Sequence, residues 1–139
     1  MGQITYISDS IEDERKLLAT VDDILSAGID IEAKVLSSDC STSDLQETVL
    51  SSLADIFIVG ANQATTLSCC VAAYTSRPVI AVLLESEDGQ MPNSYGEAMR
   101  ELSRKGTPLM IMSEEDIETA TQTAIEIITN KAAQYRAIS

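Results

Sequence analysis

Apolar positions along this chain follow two patterns. Residues 56–59 (IFIV) and 79–84 (VIAVLL) are unbroken β-rich runs without alternation, as in strands buried on both faces of a parallel sheet. Residues 65–74 between them are mostly small (Thr65, Thr66, Ser68, Cys69, Cys70, Ala72, Ala73) and have the length of a short crossover helix. A helix that slim can press close to the sheet and to another subunit. Gly60 closes the first run, where a sharp backbone turn is expected. Pro78 opens the second, where a missing N–H does least harm.

The rest of the chain reads the same way. Residues 3–7 predict a first strand, and Ser8, Asp9 and Ser10 after it are all helix-capping types; Asp9 with Glu12 has capping-box spacing. The helix they open runs to about residue 27 on a stripe of Leu17, Leu18, Val21, Ile24 and Leu25, and Gly28 ends it. In residues 29–36, Ile29, Ile31, Ala33 and Val35 alternate with Asp30, Glu32 and Lys34, which suits an edge strand. Residues 37–42 are a loop, and Ser43 with Gln46 forms a second capping box, opening a helix to about residue 54. Beyond the central stretch come a polar loop (85–93), a helix (94–103), a turn (105–108) and a short strand (109–112). Ser113 caps a last helix with the stripe Ile117, Ala120, Thr121, Ala124, Ile125 and Ile128, and residues 129–139 continue it as a helical tail.

Five strands alternating with helices predict a single α/β domain over residues 1–139. It is flavodoxin-like and three-layered, with a parallel sheet in the order 2-1-3-4-5. Such sheets bind ligands beyond the carboxyl ends of their strands, where the strand order reverses. The candidate site therefore falls among residues 8–10, 37–42 and 60–66.

Composition narrows the function. A net charge of −13, from nine basic and 22 acidic residues, sets nucleic acid aside as a partner. Aromatic residues make up 4% and tryptophan is absent, which removes the usual stacking platforms for flavins or single strands. No apolar run reaches the roughly 18 residues of a membrane span. No signal peptide is visible, and Tyr6 holds the Ser/Thr place of a myristoylation pattern, so a cytoplasmic protein without a membrane partner is expected. The three cysteines are Cys40, Cys69 and Cys70, and there is no histidine to complete a zinc site. Cys69 and Cys70 read as buried small hydrophobes, and neither a metal nor a cofactor is expected.

Residues 59–73 (VGANQATTLSCCVAA), then Thr75, then residues 78–83 (PVIAVL), resemble the PurE family. These are the carboxyaminoimidazole ribonucleotide mutases and related aminoimidazole ribonucleotide carboxylases of purine biosynthesis. The family reads AGAGGAAHLPGMVAA, then T, then PVIGVP. The matching framework is Gly60, Ala61, Ala64, Leu67, Val71, Ala72, Ala73, Thr75, Pro78, Val79, Ile80 and Val82. The resemblance extends to about Thr129. The family's first loop, GSDSD, meets Ile7-Ser8-Asp9-Ser10-Ile11, and its second, SAHR, meets Ser37-Ser38-Asp39-Cys40.

The departures fall on the chemistry. The family's histidines meet Asp39 and Thr66, its phosphate-binding arginine meets Cys40, its ribose-holding aspartate meets Ile11, and its paired glycines meet Asn62 and Gln63. The mutase moves a carboxyl group through free carbon dioxide and needs a proton shuttled near neutral pH, a task suited to histidine. An exposed aspartate, with a pKa of about 4, is a weak base for it. The resemblance thus implies no catalytic residues here. It implies a ligand-binding set of Ser8, Asp9, Ser10, Ser37, Gly60, Ala61 and Asn62. The polar candidates have plainer readings as well: Ser8, Asp9 and Ser10 as helix caps, Ser37 as a turn residue, and Asp39, Glu85, Glu87 and Asp88 as solvated loop charges.

The resemblance also implies a homo-oligomer, an octamer, with the last helix packing on a neighbouring subunit. The function that follows is a PurE-like pseudoenzyme or oligomeric scaffold with weak ribonucleotide binding at most. The alternative is an active divergent isomerase or carboxylase acting on an aminoimidazole ribonucleotide or a related ribonucleotide. Other flavodoxin-like modules fit less well. A receiver domain needs an aspartate where Gly60 stands and a lysine where Ser113 stands, and a phosphotransfer domain needs a cysteine where Ser8 stands.

Overall fold

The computed structural model describes residues 2–36, 42–61, 71, 73–84, 109–113 and 117–138, with 42–43, 61, 83, 109–113 and 131–138 described by backbone alone. The expected loop at 85–93, helix at 94–103 and turn at 105–108 lie outside the described residues.

Strand β1 (Gln3–Ser8) is buried from Ile4 onward on both faces, which requires neighbours on both edges and a helical layer on each side. It lies between β2 (Asp30–Val35) and β3 (Ile56–Ala61), and β3 pairs with β4 (Val79–Leu83). All these pairs are parallel, in the order β2-β1-β3-β4. The segment Leu109–Ser113 (β5) runs parallel beside β4, with Val79 opposite Leu109. The α/β class, the parallel sheet and the order 2-1-3-4 agree with the hydrophobic pattern.

Strand β2 has partly or fully exposed positions throughout, as its alternating charges require at a sheet edge. Glu32 accepts a hydrogen bond from Gln3 Nε2 (3.1 Å) and faces Lys34 at 3.7 Å, an exposed pair that adds little stability.

Two apolar clusters make the layers. Ile4, Tyr6, Ile58, Ile80 and Val82 pack on one face of the sheet. They meet Leu17 of α1 (Ile11–Leu17), Ile24 of α2 (Val21–Ser26) and Ala120, Ala124 and Ile128 of α4 (Ile117–Ile138). On the other face Ile7, Phe57, Val59 and Val79 meet Leu45 and Val49 of α3 (Thr42–Ser51) together with Val71. The period of two along β1 sends Ile4 and Tyr6 one way and Thr5 and Ile7 the other. Thr5 is buried without penalty because its hydroxyl bonds Ser52 Oγ at 2.9 Å. Val71, Ala73 and Tyr74 are helical, in keeping with a crossover helix before β4; residues 65–70 and 72 lie outside the described residues.

Several local expectations are corrected. The first helix is not continuous: a 3₁₀ turn over Leu18–Thr20 separates α1 from α2. Thr20 leaves helical geometry (φ −111°, ψ 19°), and its hydroxyl is bonded across to that of Thr121 on α4. Past the break Ile24 remains in the core but Leu25 is 55% exposed, so the predicted stripe ends one residue early. Gly28 does end the helix. Its φ of +78° suits the left-handed residue of a Schellman motif, in which Ile29 N–H donates to Ile24 carbonyl (3.3 Å) and Gly28 N–H to Leu25 carbonyl (3.0 Å).

Helix α3 starts at Thr42, so Ser43 lies inside it instead of capping it, and the helix ends at Ser51, short of residue 54. Ser113 is the last residue of β5, and residues 114–116, over which it would cap the last helix, lie outside the described residues. Gly60 lies inside β3 and is not among the described glycines with positive φ, so it makes no sharp turn.

Candidate functional site

Strand order reverses between β1 and β3, so the crevice expected of this topology opens where their carboxyl ends adjoin. One register row crosses the sheet there: Val35, Ser8, Gly60 and Val82. Ser8 and Gly60, far apart in sequence, are thus direct neighbours at the switch point.

Ser8 is fully buried as the last residue of β1, and its carbonyl accepts the N–H of Leu36 at 2.8 Å. Its Oγ has no hydrogen-bond partner among the described residues. The structure therefore corrects its reading as a helix cap: Ser8 ends a strand with a desolvated hydroxyl left over. Asp9 is half-buried in the bend between β1 and α1. The cap of α1 is Ser10, extended at φ −149° and ψ 166°, whose Oγ accepts from Asp13 N–H at 3.2 Å. The cap predicted at Asp9 falls one residue later, on Ser10. Glu12, Asp13 and Glu14 occupy the first turn, where carboxylates complement the positive end of a helix. They also make that end unwelcoming to a phosphate.

Gly60 has a packing reason to be glycine. A Cβ there would lie 2.6 Å from Leu17 Cδ2 and 2.7 Å from Leu17 Cγ, so α1 sits in the space a side chain would fill. Ala61 ends β3. Ser37, Asp39, Cys40, Asn62, Gln63 and Thr66 lie outside the described residues, as do Glu85, Glu87 and Asp88. The geometry therefore unites Ser8, Asp9, Ser10, Gly60 and Ala61 in one region.

Arg77, which precedes β4, is at the opposite, amino end of the strands. One guanidinium nitrogen donates to the carbonyls of both Ser52 and Ala54, each at 2.8 Å. It ties the segment after α3 to the start of β4, a structural task that no local sequence signal marks. Tyr6 is a second residue the pattern did not single out. Its phenol is buried on the α1/α4 face, and burial pushes its pKa well up, opposed only in small part by the nearby Thr121 hydroxyl. Among the described residues Tyr6 Oη has no partner at full hydrogen-bond geometry, and Thr121 is bonded to Thr20.

Among the described residues no group of three or more histidine, cysteine, aspartate or glutamate side chains could hold a metal ion. No helix among them is long and apolar enough to cross a membrane. A comparison with curated proteins returned no match. The family model described as AIR carboxylase matches residues 3–138, from the first residue of β1 to the last of α4. The chain belongs to the AIR carboxylase family, the PurE family of purine biosynthesis.

Proposed function

We propose that this chain is a PurE-like protein that lacks mutase activity and serves as a pseudoenzyme or oligomeric scaffold in purine biosynthesis. One observation carries the reading: a chain of 139 residues in this family contains no histidine. The proton shuttle the mutase needs near neutral pH then has no side chain of matching pKa to move to. Asp39 and Thr66 stand at the family's histidine positions, and Cys40 at that of its phosphate-binding arginine. Losing an arginine–phosphate contact typically costs about 1.5–3 kcal/mol, roughly ten- to a hundredfold in affinity. Arg77, the one basic residue in the sequence of residues 56–84, is committed to two backbone carbonyls at the far end of the sheet.

The same proposal takes the whole chain as one flavodoxin-like domain, with β5 completing a five-stranded sheet. It takes the protein to be a cytoplasmic homo-octamer in which α4 packs on a neighbouring subunit. Binding needs neither a metal nor a cofactor.

A second reading rests on Ser8. A fully buried hydroxyl at the switch point, without a partner among the described residues, is a ready hydrogen-bonding group for a ligand. It favours a retained ribonucleotide site, formed by Ser8, Asp9, Ser10, Ser37, Gly60, Ala61 and Asn62, in a divergent isomerase or carboxylase.

Two experiments separate the readings. Expression of this chain in a strain lacking its own mutase is expected to leave the strain purine-requiring; growth without purines overturns the pseudoenzyme reading. Calorimetry with aminoimidazole ribonucleotide is expected to show weak binding or none. A dissociation constant in the low micromolar range establishes the ribonucleotide site instead.

A further inference from the structure

We propose that the outer edge of β2 pairs antiparallel with the same edge of a second copy of this chain, about a two-fold axis at Ala33. Among the described residues β2 ends the sheet, and no strand pairs with its outer edge. The bonds that flank the strand show which backbone groups face that way. Asp30 N–H donates to the Gly2 carbonyl (2.9 Å) and Leu36 N–H to the Ser8 carbonyl (2.8 Å), so the even positions direct their polar groups at β1. Backbone direction alternates along a strand, so the N–H and C=O groups of Ile31, Ala33 and Val35 point away from the sheet.

The charges select both the occupant and its register. Glu32 and Lys34 lie on one face of the strand, 3.7 Å apart, with side chains 39% and 50% exposed. Antiparallel pairing about Ala33 sets Glu32 opposite the partner's Lys34, and Lys34 opposite the partner's Glu32. One strand sequence is thus complementary to itself, as a two-fold contact requires. Centring the pair on Glu32 or on Lys34 sets like charges face to face, and centring it on Ile31 sets Glu32 against the partner's Asp30. The Ala33 register also suits the backbone. Ala33 exchanges both bonds with its own copy, and Ile31 and Val35 exchange theirs on either side. A lone lysine on an edge strand guards against such pairing; a glutamate two residues before it turns the guard into a match.

The opposite face of the strand supplies apolar contact. Ile31 and Ala33 pack against the α1/α4 layer, and Val35 beside them is 38% exposed. In the paired edge Ile31 meets the partner's Val35, which extends that layer across the axis. Helix α2 packs beside β2 and carries Leu25, 55% exposed, so two of the exposed large apolar side chains among the described residues belong to this edge. The contact is separate from the packing of α4 on a neighbour, and neither depends on the other.

The test is sedimentation of the full chain carrying Glu32→Lys or Lys34→Glu, alone and mixed. Each single variant sets like charges against each other on both sides of the axis, and is expected to show half the parent's mass. An equimolar mixture of the two sets lysines against glutamates only and is expected to regain the parent's mass, as is the double variant Glu32→Lys/Lys34→Glu. Ala33→Cys reads the axis itself. Residues opposite each other in a hydrogen-bonded pair lie about 5.5 Å apart between Cα atoms, within the roughly 4.4–6.8 Å a disulfide spans. Oxidation is therefore expected to link that variant into a covalent dimer, with the parent oxidised alike as the blank. Melting curves equal to the parent's confirm that the variants fold. A monomeric parent, a single variant that keeps the parent's mass, a mixture that stays at half of it, or an Ala33→Cys chain that yields no more covalent dimer than the blank overturns the proposal.

Discussion

Replacing Gly60 with alanine tests how α1 is held over the sheet. The new Cβ would stand 2.6–2.7 Å from three carbons of Leu17, including the branch point Cγ, so rotation of a terminal methyl does not relieve the contact. Leu17 is 1% exposed and has no free space to retreat into. Overpacking of this kind costs about 1–3 kcal/mol. Against it stands the gain of about 0.5–1 kcal/mol from replacing a strand-interior glycine with alanine. A net loss of up to about 2.5 kcal/mol follows. Leu17→Ala alone is expected to cost about 2–5 kcal/mol, by the usual sum of lost burial and cavity. In the double variant the alanine at 60 meets no leucine and fills part of the cavity. Its loss is therefore expected to fall short of the sum of the singles by about 1 kcal/mol or more. Urea denaturation of the four proteins, read by linear extrapolation, supplies the cycle. A Gly60→Ala variant more stable than the parent, or strict additivity in the double variant, refutes the packing argument. Gly60 would then have to be explained by the approach of a ligand.

Other expectations follow from single contacts. Arg77→Ala removes both bonds to the Ser52 and Ala54 carbonyls and is expected to lower stability by about 1.5–3 kcal/mol in urea unfolding, with Arg77→Lys recovering only part, since an ammonium lacks the planar fork. Neither change is expected to alter ribonucleotide affinity by calorimetry, because Arg77 is at the wrong end of the strands. Ser10→Ala removes the cap of α1 and is expected to cost about 0.5–2 kcal/mol, while Ser10→Asp retains most of the stability. Burial holds the Tyr6 phenol neutral, with its folded pKa above the ordinary value of about 10. The corresponding stability is intact below that ordinary value and is lost as pH rises beyond it toward the folded value. Melting temperatures measured upward from pH about 10 are expected to fall faster for the parent than for Tyr6→Phe.

The sheet was legible because its signals are local. Unbroken apolar runs mark β3 and β4, and the alternating charges of residues 30, 32 and 34 mark β2 as an edge. Gly28 was legible for the same reason, since a left-handed helix end selects glycine directly. What escaped the sequence depends on partners distant along the chain. The stripe from Leu17 to Leu25 carries no sign of a break that is associated with a hydroxyl contact 101 residues away. Gly60 looked like a turn, because nothing near it reveals that Leu17 fills its side-chain space. Ser8 looked like one of three interchangeable caps. Pairing with Val35 and Gly60 makes it a strand residue, and only Ser10 bonds the helix. The family of the chain could be read from its motifs, since spacing and framework survive where the chemical groups do not.

The central claim, a PurE-family chain without mutase chemistry, is tested most directly by assaying the purified protein for interconversion of the two carboxyaminoimidazole ribonucleotide isomers. The account predicts a rate indistinguishable from buffer for the parent and also for Thr66→His, because the other histidine, the arginine and the ribose-binding aspartate remain missing. Turnover by the parent protein that scales with its concentration contradicts the account and assigns proton transfer to a side chain other than histidine.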